Sequence, residues 1–101
     1  MLKHIVFWRL KPEAHGKPAA ENARIIKEKL EALAGRIPGL IRIEVGIDIE
    51  RSDQASDIAL YSEFESRAAL DVYQKHPDHK AVMPYIAESR TERRVVDYEV
   101  P

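Results

Sequence analysis

Leu40-Ile41-Arg42-Ile43-Glu44-Val45-Gly46-Ile47-Asp48-Ile49 alternates apolar and polar residues with near-perfect period two. Successive side chains of a strand point to opposite faces, so this spacing predicts a half-buried β-strand. Ile41, Ile43, Val45, Ile47 and Ile49 share one face. Pro38-Gly39 ahead of it reads as a turn, and Glu50 to Ser56 behind it as a polar loop. The next run, 57–65, predicts a second strand of the same kind, with Ile58, Leu60 and Phe64 on one face and Ala59 and Tyr61 on the other. Upstream, Ala23, Ile26, Leu30 and Leu33 recur at helical spacing within 18–34. Pro18 suits the first turn of that helix, and Gly35 suits the left-handed position that ends it. Further out, 2–10 reads as an opening strand and 91–100 as a closing one. Lys11 to Pro18 reads as a loop. Ser66 is a good N-cap for a helix through about Lys75. Pro77 suits the start of another short helix, which Pro84 should kink or end.

The order is β-α-β-β-α-β, the split βαβ or ferredoxin-like pattern. The predicted fold is α+β, with both helical segments on one face of a four-stranded antiparallel sheet. One domain spanning 1–101 is expected, since 101 residues suit one domain and neither linker nor repeat is visible. A chain of this size buries only roughly two-thirds of its unfolded surface, so a second copy would help. Net charge is −1, which gives no electrostatic case for nucleic acid or an anionic membrane. There is no cysteine, which removes thiolate catalysis and zinc thiolate sites and suits a reducing cytoplasm. Lys3, His4 and Arg9 interrupt the apolar start, so no signal peptide is expected. No run approaches the ~20 apolar residues of a membrane span.

The faces of the strands predict a partner. With the helices on one side, the other side of the sheet should read polar. In the opening strand, His4, Val6, Trp8 and Leu10 alternate with Lys3, Ile5, Phe7 and Arg9. Ile5 and Phe7 oppose Val6 and Trp8, and Ala59 and Tyr61 oppose Ile58 and Leu60. Large apolar patches are seldom left open to water. The simplest cover is the same sheet of a second copy about a two-fold axis, giving a homodimeric barrel.

Several segments resemble the stress-responsive dimeric α/β-barrel (Dabb) family. Met1-Leu2-Lys3-His4-Ile5-Val6 is similar to its opening strand, and Ile37-Pro38-Gly39-Leu40 with Ile43-Glu44-Val45-Gly46 to its turn and second strand. Glu63-Phe64-Glu65-Ser66 with Ala69-Leu70-Asp71-Val72-Tyr73 resembles its third strand and second helix. His76-Pro77-Asp78-His79 resembles its His-Pro-x-His element, and Val96-Asp97-Tyr98-Glu99-Val100 its last strand. The resemblance implies a dimeric α/β barrel. It says less about activity: the family holds plant stress proteins with no clear reaction and a plant polyketide cyclase. The wider superfamily holds cofactor-free monooxygenases, haem-degrading enzymes and muconolactone isomerases.

The histidines are the candidate chemistry. Tyr73, His76 and His79 fall within two turns of one another. The resemblance to the cyclase covers His4, Tyr73, His76 and His79. It implies that Tyr73 and His79 are the acid/base pair and that His4 lines the same pocket. Such chemistry needs a base near neutral pH for a proton α to a carbonyl, and a donor for the enolate oxygen. In the first turn of its helix His79 would stay neutral and serve as base, with Tyr73 as its hydrogen-bond partner. His76 is expected at the rim. Trp8, Ile58, Leu60 and Phe64 are expected as apolar walls, so the ligand would be small, flat and largely hydrophobic. Ile58 stands where the cyclase has a further pocket histidine, which makes that side more apolar. No metal and no cofactor are expected. Pro77 makes the His76-x-x-His79 spacing a poor ligand pair, and Trp8, Phe64 and Tyr73 suit a core as well as a haem or flavin pocket. A plain structural role for these residues also stays open: His76 as a helix cap, His79 bonded to a backbone carbonyl, His4 a satisfied strand histidine. His15 is read as solvated in its loop, and Arg90, Arg93 and Arg94 as a small basic cluster that could bind a carboxylate or, as the stronger reading, form a solvated edge that discourages sheet-to-sheet aggregation. Glu21, Lys27, Glu28 and Glu31 are read as the outer face of the first helix, which is taken as purely architectural.

Overall fold

A computed structural model describes all residues from Met1 to Pro101. The elements run β1 (Leu2–Leu10), β2 (Glu13–Ala14), β3 (Lys17–Pro18), α1 (Ala19–Glu31), β4 (Leu40–Ile47), β5 (Ile58–Phe64), α2 (Arg67–Lys75), α3 (Pro77–Ser89) and β6 (Arg90–Glu99). Four strands form one antiparallel sheet in the order β4-β5-β1-β6. This is the predicted ferredoxin-like arrangement, with β1 and β5 central. None of the helices is long and apolar enough to cross a membrane.

Strand register sorts the side chains into two faces. Val6 pairs with Leu60 and Trp8 with Ile58, all turned toward the helices and buried. Ala23, Ile26 and Leu30 of α1, Leu70 and Tyr73 of α2, and Val82 and Ile86 of α3 complete that core. Ile5 pairs with Tyr61 and Val96, and Phe7 with Ala59, on the face that no helix covers. There Phe7, Val96 and Tyr98 are 39%, 54% and 43% exposed.

Gly39 has φ +83°, and a Cβ there would lie 2.6 Å from the Ala69 Cβ. A side chain at this turn would push α2 off the sheet. At the start of α2, Ser66 accepts a hydrogen bond from the Ala69 N–H at 3.2 Å, as an N-cap should.

Five expectations need correction. The period-two stretch ends early: β4 stops at Ile47, and Ile49 is 94% exposed. A bulge between Leu40 and Arg42 adds an unpaired residue, which turns Ile41 to solvent. Residues 11–18 hold a small hairpin, β2–β3, with His15 and Gly16 both at positive φ. His15 is therefore no free loop residue: its ring stacks on Tyr85 at 3.9 Å, and a ring nitrogen donates to the Tyr85 carbonyl at 3.1 Å. The helix after Pro77 is 13 residues long and runs through Pro84. Pro84 is exposed, so water can satisfy the Lys80 carbonyl that loses its donor. Finally, Lys27 and Glu31 do more than face solvent. They form an i,i+4 pair at 2.8 Å, and also clasp the outer edge of β4. Lys27 Nζ donates to the Val45 carbonyl and the Val45 N–H donates to Glu31. Both groups would otherwise be an open strand edge.

Candidate functional site

The junction between α2 and α3 builds the site. A residue before proline is disfavoured in the α region, and His76 has φ −65° and ψ 136°. It ends α2 and caps α3, its Nδ1 accepting from the Asp78 N–H at 3.0 Å. The chain turns there and restarts a helix at once. That turn brings His79 over Tyr73, with ring centroids 4.3 Å apart.

A cavity of about 230 Å³ lies between these helices and the sheet. Tyr73 and His79 line it on the helix side, with His4, Val6, Trp8 and Leu60 from the strands. Five of the eight residues singled out in the sequence thus meet here. Ile58, Phe64 and His76 do not. Ile58 is core, so the expected apolar side at that position is not a cavity wall. Phe64 is fully buried behind the site, 4.9 Å from the Tyr73 ring and 6.3 Å from that of His4. His76 is spent as a helix cap. Leu30 is a wall of the cavity, so α1 is not purely architectural.

His4 is 3% exposed, and its Nδ1 lies 2.5 Å from Asp97 Oδ1. A carboxylate only accepts, so Nδ1 carries the hydrogen and Nε2 is left for the cavity. A carboxylate on one ring nitrogen fixes both orientation and tautomer. His79 is held the opposite way round the site. Its Nδ1 donates to the Gln74 carbonyl at 3.3 Å, which again leaves Nε2 as the lone-pair nitrogen. Burial pushes His79 below the ordinary imidazole value; the Gln74 carbonyl opposes this, and the nearby charges of His4, Arg93 and His76 add to it. Burial is thus the largest influence that favours the neutral ring.

Tyr73 is fully buried, and burial pushes its hydroxyl well above the usual phenol range. It is the one buried side-chain polar atom with no hydrogen-bond partner. The expected bond to His79 is absent; the two rings pack at a tilt of 47° instead. A buried donor left unpaired costs about 1–3 kcal/mol.

Asp97 was missed in the sequence, and Arg90 and Arg93 were noted there as a basic cluster but not placed in this site. Arg90 and Arg93 line the cavity and are not merely a solvated edge. Alternation along β6 puts Arg93 and Asp97 on the same face, and register then pairs Asp97 with His4 and Arg93 with Trp8. That register is the signal, and no tight turn in the sequence fixes it. No group of three His, Cys, Asp or Glu side chains could hold a metal ion. A larger concavity of about 590 Å³ lies on the uncovered sheet face, beside Phe7, Gly46, Ile49 and Ala59. It holds no histidine, and it is an open trough of the bare face.

A family model for the stress responsive A/B barrel domain matches residues 2–100. A dimeric protein of unknown function with a ferredoxin-like fold from Bacteroides fragilis is 34% identical, with 98% of this chain and 95% of that one covered and a TM-score of 0.86. A Dabb family protein with a ferredoxin-like fold from Mesorhizobium loti is 25% identical over 99% and 95% of the two chains, with a TM-score of 0.71. A hydroxynitrile lyase from Passiflora edulis is 18% identical over 99% and 93%, with a TM-score of 0.81, a likeness of fold alone. Among curated proteins none matches the chain.

Proposed function

The chain belongs to the stress responsive A/B barrel domain family, and on that premise we propose that it is a homodimer that binds and transforms a small, flat, largely apolar carbonyl compound by cofactor-free acid/base chemistry. The observation that carries this reading is the buried Tyr73 hydroxyl without a partner, in the wall of a cavity that two differently tethered histidines share. Buried polar groups are nearly always paired. A donor kept unpaired beside a neutral imidazole suits a ligand that brings its own carbonyl oxygen.

In this reading His79 Nε2 removes a proton from the carbon next to the carbonyl. Tyr73 OH donates to the carbonyl oxygen as it becomes an enolate oxygen. His4, fixed by Asp97, presents Nε2 from the sheet side and orients the ligand. The enolate then takes a proton back at carbon, or attacks a second carbonyl within the same molecule. The whole 1–101 chain acts as one domain, and it works in the cytoplasm, a placement that its lack of cysteine suits. The homodimer closes the uncovered sheet face through Ile5, Phe7 and Val96; the Bacteroides fragilis relative is described as dimeric.

Deuterium exchange tests the chemistry. In D₂O at pD near 7.5, the protein should accelerate exchange of the methyl protons of 4-acetylbenzoate above buffer, followed by proton NMR. His79→Gln should abolish the acceleration. The pH profile should lose activity only on the acid side, below the ordinary imidazole value, because burial lowers that of His79. Binding without exchange would favour the other reading, a non-catalytic stress-response or ligand-binding protein.

A further inference from the structure

Among the residues that line the cavity, the ionisable ones beside Tyr73 are His4, His79, Arg90 and Arg93, and none is a carboxylate. This is unexpected in a chain with 17 acidic and 16 basic residues and a net charge of −1. The nearest carboxylate, Asp97, is already engaged by His4 Nδ1. Other arginines of this sheet are paired: Arg9 and Arg94 both reach Glu92, and Arg42 reaches Glu44. Arg90 and Arg93 have no acidic partner. Arg90 is half-buried and Arg93 is exposed, so the two guanidiniums stand at the mouth, above a floor of Val6, Trp8, Leu30, Leu60 and Ile86. A guanidinium is weakly hydrated and offers paired N–H groups that match a carboxylate.

We propose that the cavity selects an anion: a small, flat carboxylic acid whose apolar body lies on that floor and whose carboxylate is held at the mouth by Arg93 and Arg90. The inference rests on the ligand-binding reading above and narrows its substrate class. With the carboxylate at the mouth, the far end of the molecule is directed inward, toward Tyr73 and His79. Arg93 then has two effects. It anchors the ligand, and its charge also helps to keep His79 unprotonated.

The test is calorimetric titration of the full chain, at pH 7.5, with two probes of one shape. These are 4-acetylbenzoate and its uncharged counterpart 4-acetylbenzamide. The acid should bind at least about tenfold more tightly, a ratio that corresponds to about 1.4 kcal/mol. Arg90→Gln with Arg93→Gln should bring the ratio close to one by weakening the acid much more than the amide. Arg93→Lys should keep part of the preference, since it keeps the charge but loses the fork. Equal affinity for the two probes in the unsubstituted protein would overturn the anion inference while leaving the cavity reading intact. Failure of both probes to bind would overturn the two together.

Discussion

β1 shows one strand serving two faces under different rules. Its inward side chains, His4, Val6 and Trp8, are all buried, and the polar one among them is paired to Asp97. On its outward side Ile5 and Phe7 form an apolar centre between Lys3 and Arg9, and Phe7 stays 39% exposed. The inward face is therefore closed around a paired polar group, and the outward face is open around an apolar centre. A polar group inside a closed face must be matched, or kept for a visitor. An apolar group on an open face asks only for area to cover it. The two faces accordingly serve different ends: the first selects a ligand, and the second a partner.

Substitutions can break this contrast. The largest effect should come from the closed face. Phe64→Ala removes a fully buried ring packed against both His4 and Tyr73, and should cost about 3–5 kcal/mol in denaturant unfolding. Leu30→Ala, also fully buried, should cost about 2–5 kcal/mol and enlarge the cavity. By contrast, Phe7→Asp on the open face should leave the folded chain largely intact and split the dimer. Sedimentation at micromolar concentration should then show one species of single chain mass where the unsubstituted protein shows twice that mass. If Phe7→Asp unfolded the chain as Phe64→Ala does, the two faces would not differ as described.

A smaller effect concerns the edge of the sheet. Lys27 and the Val45 N–H, in that order, hold Glu31 below the usual carboxylate value. The folded value is lowered, so the stabilisation is present above the unfolded value, near 4.5, and is lost as pH falls through the folded value. Denaturant midpoints between pH 6 and pH 3 should fall more steeply for the unsubstituted protein than for Glu31→Gln. The difference should be modest, since this pair is partly exposed to solvent.

Much of this fold was legible because its periods are clean. Ala23, Ile26 and Leu30 announced the buried stripe of α1, and Leu33 is buried just past the end of that helix, which stops at Glu31 rather than at 34. Strand edges were less legible. The alternation through Ile49 obeys period two, but nothing in it signals that a bulge at Ile41 and an early end at Ile47 expose three of its isoleucines. Pro84 does not end its helix: it is exposed, so the carbonyl it frees can reach water. Of the candidate site, the local part was readable. Tyr73, His76 and His79 are neighbours in sequence, and Pro77 marks the turn between them. The long-range part was not. Asp97 is 93 residues from His4, and only the register of β6 on β1 joins them. Arg93 came into the cavity by the same register. The Tyr73 hydroxyl was expected to bond His79, and only packing reveals that the two rings meet at a tilt instead.

The most direct measurement is the Tyr73→Phe substitution, read in two ways at once. The hydroxyl has no partner within the chain, so it contributes nothing to folding that its loss could remove. The variant should be as stable as the parent in denaturant unfolding, or more stable by up to about 1–3 kcal/mol. It should also lose most of its affinity for 4-acetylbenzoate and its methyl-proton exchange. That pairing of kept stability and lost binding is what a donor reserved for a ligand predicts. A variant that loses stability while it binds and exchanges as before would contradict it, and would return Tyr73 to the core as a packing residue.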